Sequence, residues 1–343
     1  MQIISFLNKC GPLFFGVFIL TPVLSEIMNL YNFSLPFISN IVLSLFIGFF
    51  LGIDRYYKRK MDMSDILIRE EQEIARKYLF NDTWIYVVWG LGNFLVWLSL
   101  WPLAFMNILP LWIIFVIATL NCCLAYLPSH EAQHGNIVKR NSPYFWINEL
   151  VGYISVLPLL TGYKLLKETH MLHHKHTNDP EKDPDIGTKS RSFLHSLWIC
   201  GVVQRQPNAG YGLQSEFYKK NISSRALTEH FIFFWFHWIF LAFLALSGFG
   251  LIALSIWWLP RLIGTAYLQI TLSFLPHKPM ENKGRYNDTR GWKAYTGTIL
   301  TQGMEYHIIH HLYPSIPLHK TPSAFRDMRH ILEKKNCVLD GGI

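Results

Sequence analysis

Long runs without charged residues constrain this chain more than any other feature. The stretch from Phe231 to His277 contains a single charged residue, Arg261. Four shorter runs carry one charge or none: Gly11–Leu30, Pro36–Ile53, Thr83–Phe105 and Asn107–Leu127. About 20 mostly apolar residues cross a bilayer, so each shorter run fits one span and the longest fits two. Helices of soluble proteins keep a polar face, which these runs lack. The sequence predicts an all-α, polytopic integral membrane protein with about six transmembrane helices in three hairpins.

The basic residues indicate how these hairpins are oriented. The chain has 31 Lys and Arg against 23 Asp and Glu, a net charge of +8. All of the basic residues except Arg261 fall on one side of the predicted hairpins. Since Lys and Arg favour the cytoplasmic side, that side is expected to face the cytoplasm, in a bacterial inner membrane or the ER membrane. The positive charge therefore indicates topology, and no nucleic-acid partner is expected.

Arg261 is the exception, because it lies inside the longest apolar run. Pro260 precedes it and can break a helix. Trp257 and Trp258 lie close by, and tryptophan is enriched at membrane interfaces. We therefore expect Arg261 at the outer interface. The alternative is a functional charge inside the membrane.

The order of the runs suggests three regions. Residues 1–82 are expected to form an N-terminal hairpin followed by a charged connector helix, residues 83–330 a catalytic domain, and residues 331–343 a loose tail. The apolar stretch Tyr144–Tyr163 is interrupted by Glu149 and Pro158. It is therefore expected to lie at the membrane surface instead of crossing it.

Histidines form three clusters on the predicted cytoplasmic side. Residues 130–134 read H-E-A-Q-H, residues 170–174 read H-M-L-H-H, and residues 307–311 read H-I-I-H-H. With 15 histidines in 343 residues, far less than one H-x-x-H-H is expected by chance, yet two occur. Positions i, i+3 and i+4 share a helix face, so each cluster projects its imidazoles in one direction. Eight neutral imidazoles are too many ligands for one metal ion, so two ions are implied.

The first cluster also matches two other metal-binding patterns. H-E-x-x-H places two zinc ligands and a general base on one helix face, as in intramembrane metalloproteases, and the chain also contains Leu339-Asp340-Gly341. That triplet lies in a polar tail, and a protease would leave both H-x-x-H-H clusters unexplained. Glu131 and His134 also match half of a ferritin-like di-iron site, but no second E-x-x-H occurs.

At these three clusters the sequence resembles the membrane fatty acid desaturase superfamily, which includes acyl desaturases, lipid hydroxylases, and carotenoid hydroxylases and ketolases. The resemblance covers about Thr83–Pro317 and includes two predicted spans between the second and third boxes. The sequence H-K-H-T-N-D-P at 174–180, with D-P-D at 183–185, is similar to the second box of β-carotene hydroxylases.

The resemblance implies a cytoplasmic histidine-box cap holding two iron ions, with O2 as co-substrate. In acyl desaturases a further histidine precedes the third box, and His277 matches it. The implied metal ligands are His130, His134, His170, His173, His174, His277, His307, His310 and His311. The implied activity is removal of hydrogen from a lipid C–H bond by a fatty-acyl desaturase. A carotenoid β-ring or lipid hydroxylase of the same superfamily is the alternative.

Other residues near the boxes are candidates for holding the ligands in place, because metal-bound histidines donate their second N–H to an acceptor. These candidates are His176, Glu131, Glu168, Asp179, Asp183, Asp185 and Glu305. No haem-type H-P-G-G, G-x-G-x-x-G or C-x-x-C motif occurs. A membrane-embedded acyl chain or carotenoid is the expected substrate. A separate electron donor of the ferredoxin or cytochrome b5 type is expected at the basic face.

Overall fold

The computed structural model describes residues 64–79, 83–186, 189–201, 216–294 and 298–339, together with Ile53 and Tyr57. The chain separates into two compact units, residues 1–69 and residues 70–343. In the first unit, residues 64–69 are helical. The predicted spans at Gly11–Leu30 and Pro36–Ile53 lie, apart from Ile53, outside the described residues.

The second unit is helical throughout its described part, with no strand in those residues. Its helices are α1 (70–78), α2 (Trp84–Phe105), α3 (Leu111–Leu124), α4 (Tyr126–His134), α5 (Trp146–Val156), α6 (Tyr163–His176), α7 (Phe193–Gly201), α8 (Glu216–Asn221), α9 (Ser224–Leu246), α10 (Gly250–His277), α11 (Thr298–Thr301), α12 (His307–Leu312) and α13 (Thr321–Lys334). Single 3-10 turns lie at Leu157–Leu159, Met304–Tyr306 and Leu318–Lys320.

Four helical runs among the described residues are long and apolar enough to cross a membrane. These are α2, the joined α3 and α4 at Leu111–His134, α9, and α10. A fifth is possible if α5 and α6 are one span, but they meet at a bend of 102°. The prediction of an all-α membrane protein is confirmed. The surface helix predicted at Tyr144–Tyr163 corresponds to α5 and the start of α6.

Helix α10 passes through Pro260 without ending there. Two π-helical segments interrupt its α-helical geometry, at Leu254–Trp258 and Gln269–Phe274. The first ends two residues before Pro260, so the wider turn accommodates a residue that has no N–H to donate. The second ends three residues before His277. The helix therefore reaches His277 as one continuous element instead of breaking in the membrane.

Aromatic side chains fill the core between α2, α9 and α10. The ring of Trp257 lies 5.6 Å from that of Trp97 and 5.9 Å from that of Trp101, both edge to face. The Trp257 Nε1–H donates to the carbonyl of Pro158 at 3.1 Å. Trp257 is thus buried in the bundle. The Nε atom of Arg261 is buried as well.

Close packing of α3 against α10 depends on Gly264. A methyl group at this position would lie 2.7 Å from the Cβ of Cys122 and 3.0 Å from its carbonyl carbon. Backbone atoms cannot move aside as a flexible side chain can. The two spans that end at the first histidine cluster and at His277 are therefore held together by a contact that only glycine permits.

The variant Gly264→Ala should lower the free energy of unfolding by about 1–3 kcal/mol, the usual cost of overpacking. The control is Gly92→Ala, because a methyl group at Gly92 meets nothing within 4 Å. That variant should be neutral or more stable by up to about 1 kcal/mol, since alanine favours helix over glycine. Thermal unfolding of both proteins in detergent measures the difference. Equal midpoints would contradict the account of this contact.

The C-terminal region packs on the third cluster through an amphipathic helix. Buried residues of α13 recur at helical spacing: Ala324, Phe325, Met328, Ile331 and Leu332. Further along, the Gly291 N–H donates to the carbonyl of Val338 at 2.8 Å. These contacts hold α13 and the segment after it beside α12, which carries the third cluster.

Candidate metal centre

All three histidine clusters lie at helix ends. The first cluster ends α4, which continues the span α3, and His277 ends the span α10. The second cluster lies in the last two turns of α6, and the third forms most of α12. Because the spans end at the histidines, the clusters meet directly beyond the apolar part of the bundle.

One group of imidazoles combines residues from all three clusters. It contains His130, His134, His170 and His310, each with a ring nitrogen within 4.8 Å of those of the other three. The Nε2 atoms of His134 and His170 are 2.8 Å apart, and those of His130 and His310 are 3.1 Å apart. His130 and His310 are both fully buried. The spacing of these four histidines along the sequence does not by itself require their rings to converge.

A second group contains His173, His277 and His311, again with ring nitrogens within 4.8 Å of one another. His277 is therefore brought beside the second and third clusters, as the sequence comparison with acyl desaturases predicted. Its ring centroid lies 4.8 Å from that of His173 and 5.2 Å from that of His311.

The two remaining candidate ligands adjoin these groups. The Nε2 atom of His174 lies 3.1 Å from that of His170 and 2.9 Å from that of His310. The ring of His307 lies 4.7 Å from that of His311 and 5.4 Å from that of His277. All nine histidines named from the sequence are thus in one cluster of rings.

Two carboxylates orient histidines from opposite groups. The Oε1 atom of Glu131 is 3.3 Å from the Nδ1 of His130, and its Oε2 accepts from the Leu318 N–H at 3.2 Å. The Nδ1 of His173 is 2.9 Å from Asp183 Oδ1. In the neutral tautomer that donates from Nδ1 to such a carboxylate, Nε2 keeps its lone pair for a metal ion.

Hydrogen bonds keep Asp183 ionised. Burial alone would raise the pKa of its carboxyl group, but the bond from His173 and the backbone N–H groups of Asn178 and Asp185 lower it below the usual range. The Asn178 N–H donates to Oδ2 at 2.8 Å and the Asp185 N–H to Oδ1 at 2.9 Å.

In the third cluster, three buried ring nitrogens have no hydrogen-bond partner within the part of the chain that the structure describes. They are His307 Nδ1, His310 Nδ1 and His311 Nε2. A buried polar atom without a partner is costly unless something else binds it. Nitrogen atoms that converge from seven or more imidazoles, some without partners, fit transition metal ions such as iron, which imidazole ligates well.

Burial also keeps the third cluster neutral. It lowers the pKa of His307, His310 and His311 well below the usual histidine value, and neighbouring histidines lower it further. Only neutral imidazole ligates a metal, so the site is poised to bind one at neutral pH.

The metal-free protein should lose stability as the pH falls below about 6.5, the histidine pKa of an unfolded chain. There the unfolded state binds more protons than the folded state, so acid favours unfolding. Nearby Asp185 and Asp183 raise the pKa of His173, and burial raises the pKa of Asp185 and that of Asp288 to about 6. These three groups oppose the trend, but they are fewer than the histidines whose pKa is lowered. Thermal midpoints of chelator-treated protein from pH 8 to pH 5.5 test this. A midpoint that is constant or rises towards pH 5.5 would contradict it.

The other predicted supporting residues have different contacts. Asp185 Oδ2 is 3.6 Å from the Nδ1 of His173. Glu168 accepts from the backbone N–H and hydroxyl of Ser223 at the start of α9, and Asp179 pairs with Lys283 at 2.7 Å. Glu305 accepts from the hydroxyl of Thr301, and His176 ends α6 outside both groups. Glu131, Asp183 and Asp185 therefore contact ring nitrogens, whereas the others bind away from the imidazoles.

Two asparagines that were not among the predicted supporting residues hold the carboxylates beside the histidines. Asn136 donates to Glu131 Oε2 at 3.4 Å and to the carbonyl of Pro314 at 2.8 Å, linking the first and third clusters. Asn178 holds Asp183 from the backbone. Each lies within six residues of a histidine cluster, which is the only signal the sequence offered.

A cavity of about 300 Å³ opens beside the second group. His173 and His277 form part of its wall, with Asp183, Lys189, Arg191 and Lys278. Lys278 donates to the carbonyls of Ser190 and Arg191 at 3.2 and 2.7 Å, which fixes the segment before α7 along the cavity. The second group thus adjoins an opening whose wall contains both charged and apolar side chains.

Comparison with known proteins agrees with this geometry. The family model described as fatty acid desaturase matches residues 106–341, more than half of the chain. The chain is 25% identical to a Delta(9) fatty acid conjugase-like enzyme of Dimorphotheca sinuata, covering 60% of this chain and 65% of the relative. It is 24% identical to an sn-1 oleoyl-lipid 12-desaturase of Picosynechococcus, covering 43% and 44%.

A shorter match links the chain to carotenoid enzymes. Over 62 residues it is 37% identical to beta-carotene 4-ketolase 3 of Haematococcus lacustris, which is 18% of each chain. The matched region spans less than two thirds of the length of each of these relatives. Since the family model covers all three histidine clusters and His277, the chain belongs to the fatty acid desaturase family.

Proposed function

We propose that this protein is a di-iron, O2-dependent oxidoreductase of the membrane that desaturates a fatty-acyl chain. The observation that carries the proposal is the convergence of imidazoles from three distant clusters into two groups of candidate ligands. Family membership supports the class of reaction.

Each histidine group would hold one iron ion. His130, His134, His170 and His310 would bind the first, and His173, His277 and His311 the second, with His174 and His307 completing the coordination. Two bound irons supply O2-dependent removal of hydrogen from an unactivated C–H bond. Glu131 and Asp183 would hold the proton on Nδ1 of His130 and His173, which would leave each Nε2 available to an iron ion.

The chain's own architecture excludes water and admits lipid. The imidazoles lie directly at the ends of the spans α3–α4 and α10, so an acyl chain in the bilayer has a short path to them. Burial of His130 and His310 in the first group helps to keep bulk water away from the reacting carbon. The substrate proposed is therefore a membrane-embedded acyl lipid, with the histidine boxes on the cytoplasmic face.

A separate electron donor is part of the proposal. Forming one double bond with O2 yields two molecules of water and requires two electrons and two protons beyond those taken from the substrate. We propose that a ferredoxin or cytochrome b5 type of carrier supplies the electrons. Lys219, Lys220 and Arg225 are exposed, and an acidic carrier would be steered towards them.

A second candidate function is hydroxylation of a carotenoid ring or another lipid at the same site. The short match to a beta-carotene 4-ketolase and the similarity of residues 174–185 to carotene hydroxylases favour it. A zinc metalloprotease has less support, because His130 and His134 share one group with His170 and His310 from the other clusters.

Expression in a host that makes both membrane acyl lipids and β-carotene separates these functions. Lipid and pigment extracts would be profiled with and without the gene. New double bonds in acyl chains, with unchanged pigment, are the expected result. Hydroxylated carotenoid with unchanged acyl chains would replace the proposal by its alternative. The His310→Ala variant serves as the inactive control.

A further inference from the structure

A buried carboxylate from α1 lies outside the candidate metal centre. Glu71 has no solvent-exposed surface and accepts three hydrogen bonds. The donors are Arg285 Nη2 at 2.9 Å, the Tyr286 hydroxyl at 2.9 Å and the Tyr313 hydroxyl at 2.7 Å. A buried charge is stable only when it is paired and hydrogen-bonded, so these groups are held together tightly.

One of these bonds leads to the third histidine cluster. Tyr313 directly follows α12, and its N–H donates to the carbonyl of Ile309 at 2.8 Å, closing the last turn of that helix. His311 lies two residues before Tyr313. Anchoring the Tyr313 hydroxyl on Glu71 therefore fixes the end of the helix that presents His311 to the second group.

The other two bonds lead to the second cluster. Arg285 and Tyr286 belong to a loop, residues 282–288, whose carbonyls at Asn282 and Asp288 accept from Asn178 Nδ2 at 3.0 and 3.1 Å. The Asn178 N–H in turn donates to Asp183, which accepts from His173. Glu71 is thus linked to the imidazole of His173 through hydrogen bonds and the backbone of the 282–288 loop.

The same loop also reaches the third member of the second group. Arg290, two residues beyond the loop, donates from Nε to the carbonyl of Leu275 at 3.0 Å and from its backbone N–H to that of Pro276 at 3.1 Å. Both carbonyls lie within two residues of His277. Each of His173, His277 and His311 is therefore positioned by an element that Glu71 or its loop holds.

We propose that Glu71 is a positioning residue for the second histidine group, so that binding of the second iron depends on a residue upstream of the family match, which begins at residue 106. This inference rests on one part of the proposed function, namely that the second histidine group binds iron. The first group has its own carboxylate, Glu131, beside His130, and only one of its four members, His310, lies on α12. Loss of Glu71 is therefore expected to act first on the second group.

The test compares Glu71→Gln with Glu70→Gln in the purified full-length protein. Glutamine keeps the size of Glu71 but removes its charge and turns an N–H2 group towards three donors. Iron content should fall from about two to about one per chain, one of two iron environments should disappear from the Mössbauer spectrum, and kcat should fall about 10–100-fold with KM little changed. Glu70 pairs with His330 at the surface, and Glu70→Gln should keep both irons.

If Glu71→Gln does not fold, the milder variant Tyr313→Phe is tested instead. It removes only the hydroxyl group that donates to Glu71. It should alter the spectrum of one iron and weaken its retention against chelator. Two irons with an unchanged spectrum in either variant would overturn the inference. Equal loss of both irons would also overturn it, by indicating a general structural role. A wild-type protein that binds one metal ion or none would overturn the proposed function as well.

Discussion

His310→Ala is expected to abolish activity and to lower the iron content from about two to one or fewer per chain. The Nε2 of His310 lies 3.1 Å from that of His130 and 2.9 Å from that of His174, so this ring touches both other clusters. His310 itself is fully buried, so its loss removes a candidate ligand at a position where water cannot easily replace it. Iron analysis of purified protein and acyl-lipid profiling of expressing cells measure the two effects.

The control for this experiment is His195→Ala. His195 lies outside the three clusters, on α7, and its Nδ1 accepts from the Arg191 N–H near the surface. The His195→Ala variant should keep full iron content and activity. Full activity of His310→Ala would refute the assignment of His310 as a ligand.

Asp183→Asn should weaken retention of the second iron by about 10–100-fold and lower kcat to a similar extent, the usual effect of losing a partner of a ligand histidine. Asparagine has the same shape, but its N–H2 group opposes either the N–H of Asn178 or that of His173. Iron remaining after graded exposure to a chelator, followed by activity, measures the effect.

Asp179→Asn is the matched control, because Asp179 lies in the same loop and contacts Lys283 and backbone N–H groups but no imidazole. Its iron retention should equal that of the wild type. Equal retention in both variants would show that Asp183 does not orient His173.

The sequence predicted the membrane bundle because the physical requirement is simple. A span needs an uninterrupted apolar run, and α2, α3–α4, α9 and α10 each coincide with one. The histidine clusters were equally visible, since the helical period places all of their rings on one face. His277 was found only through resemblance, because a single histidine carries no periodic signal.

Contacts made at long range could not be predicted in this way. Glu168 and Asp183 are both acidic residues close to the second cluster, yet Glu168 contacts Ser223 at the start of α9 and Asp183 contacts His173. The difference depends on the bend between α5 and α6 and on the turn after α6. Neither leaves a pattern in the sequence that distinguishes the two carboxylates.

Glu71 left a signal that is clear only in retrospect. Ile74 and Ala75, three and four residues later, are buried with it on one face of α1. A charged residue on the apolar face of a helix indicates a buried partner, because an unpaired charge there would destabilise the fold. The partners Arg285, Tyr286 and Tyr313 lie more than 200 residues away along the chain.

The metal content of the purified full-length protein tests the central claim most directly. The claim is that histidines from three clusters form two neighbouring metal sites in a membrane oxidoreductase. Elemental analysis should find about two iron ions per chain, with Mössbauer parameters typical of nitrogen-ligated iron. One zinc ion per chain, or no transition metal after reconstitution with ferrous iron, would contradict it.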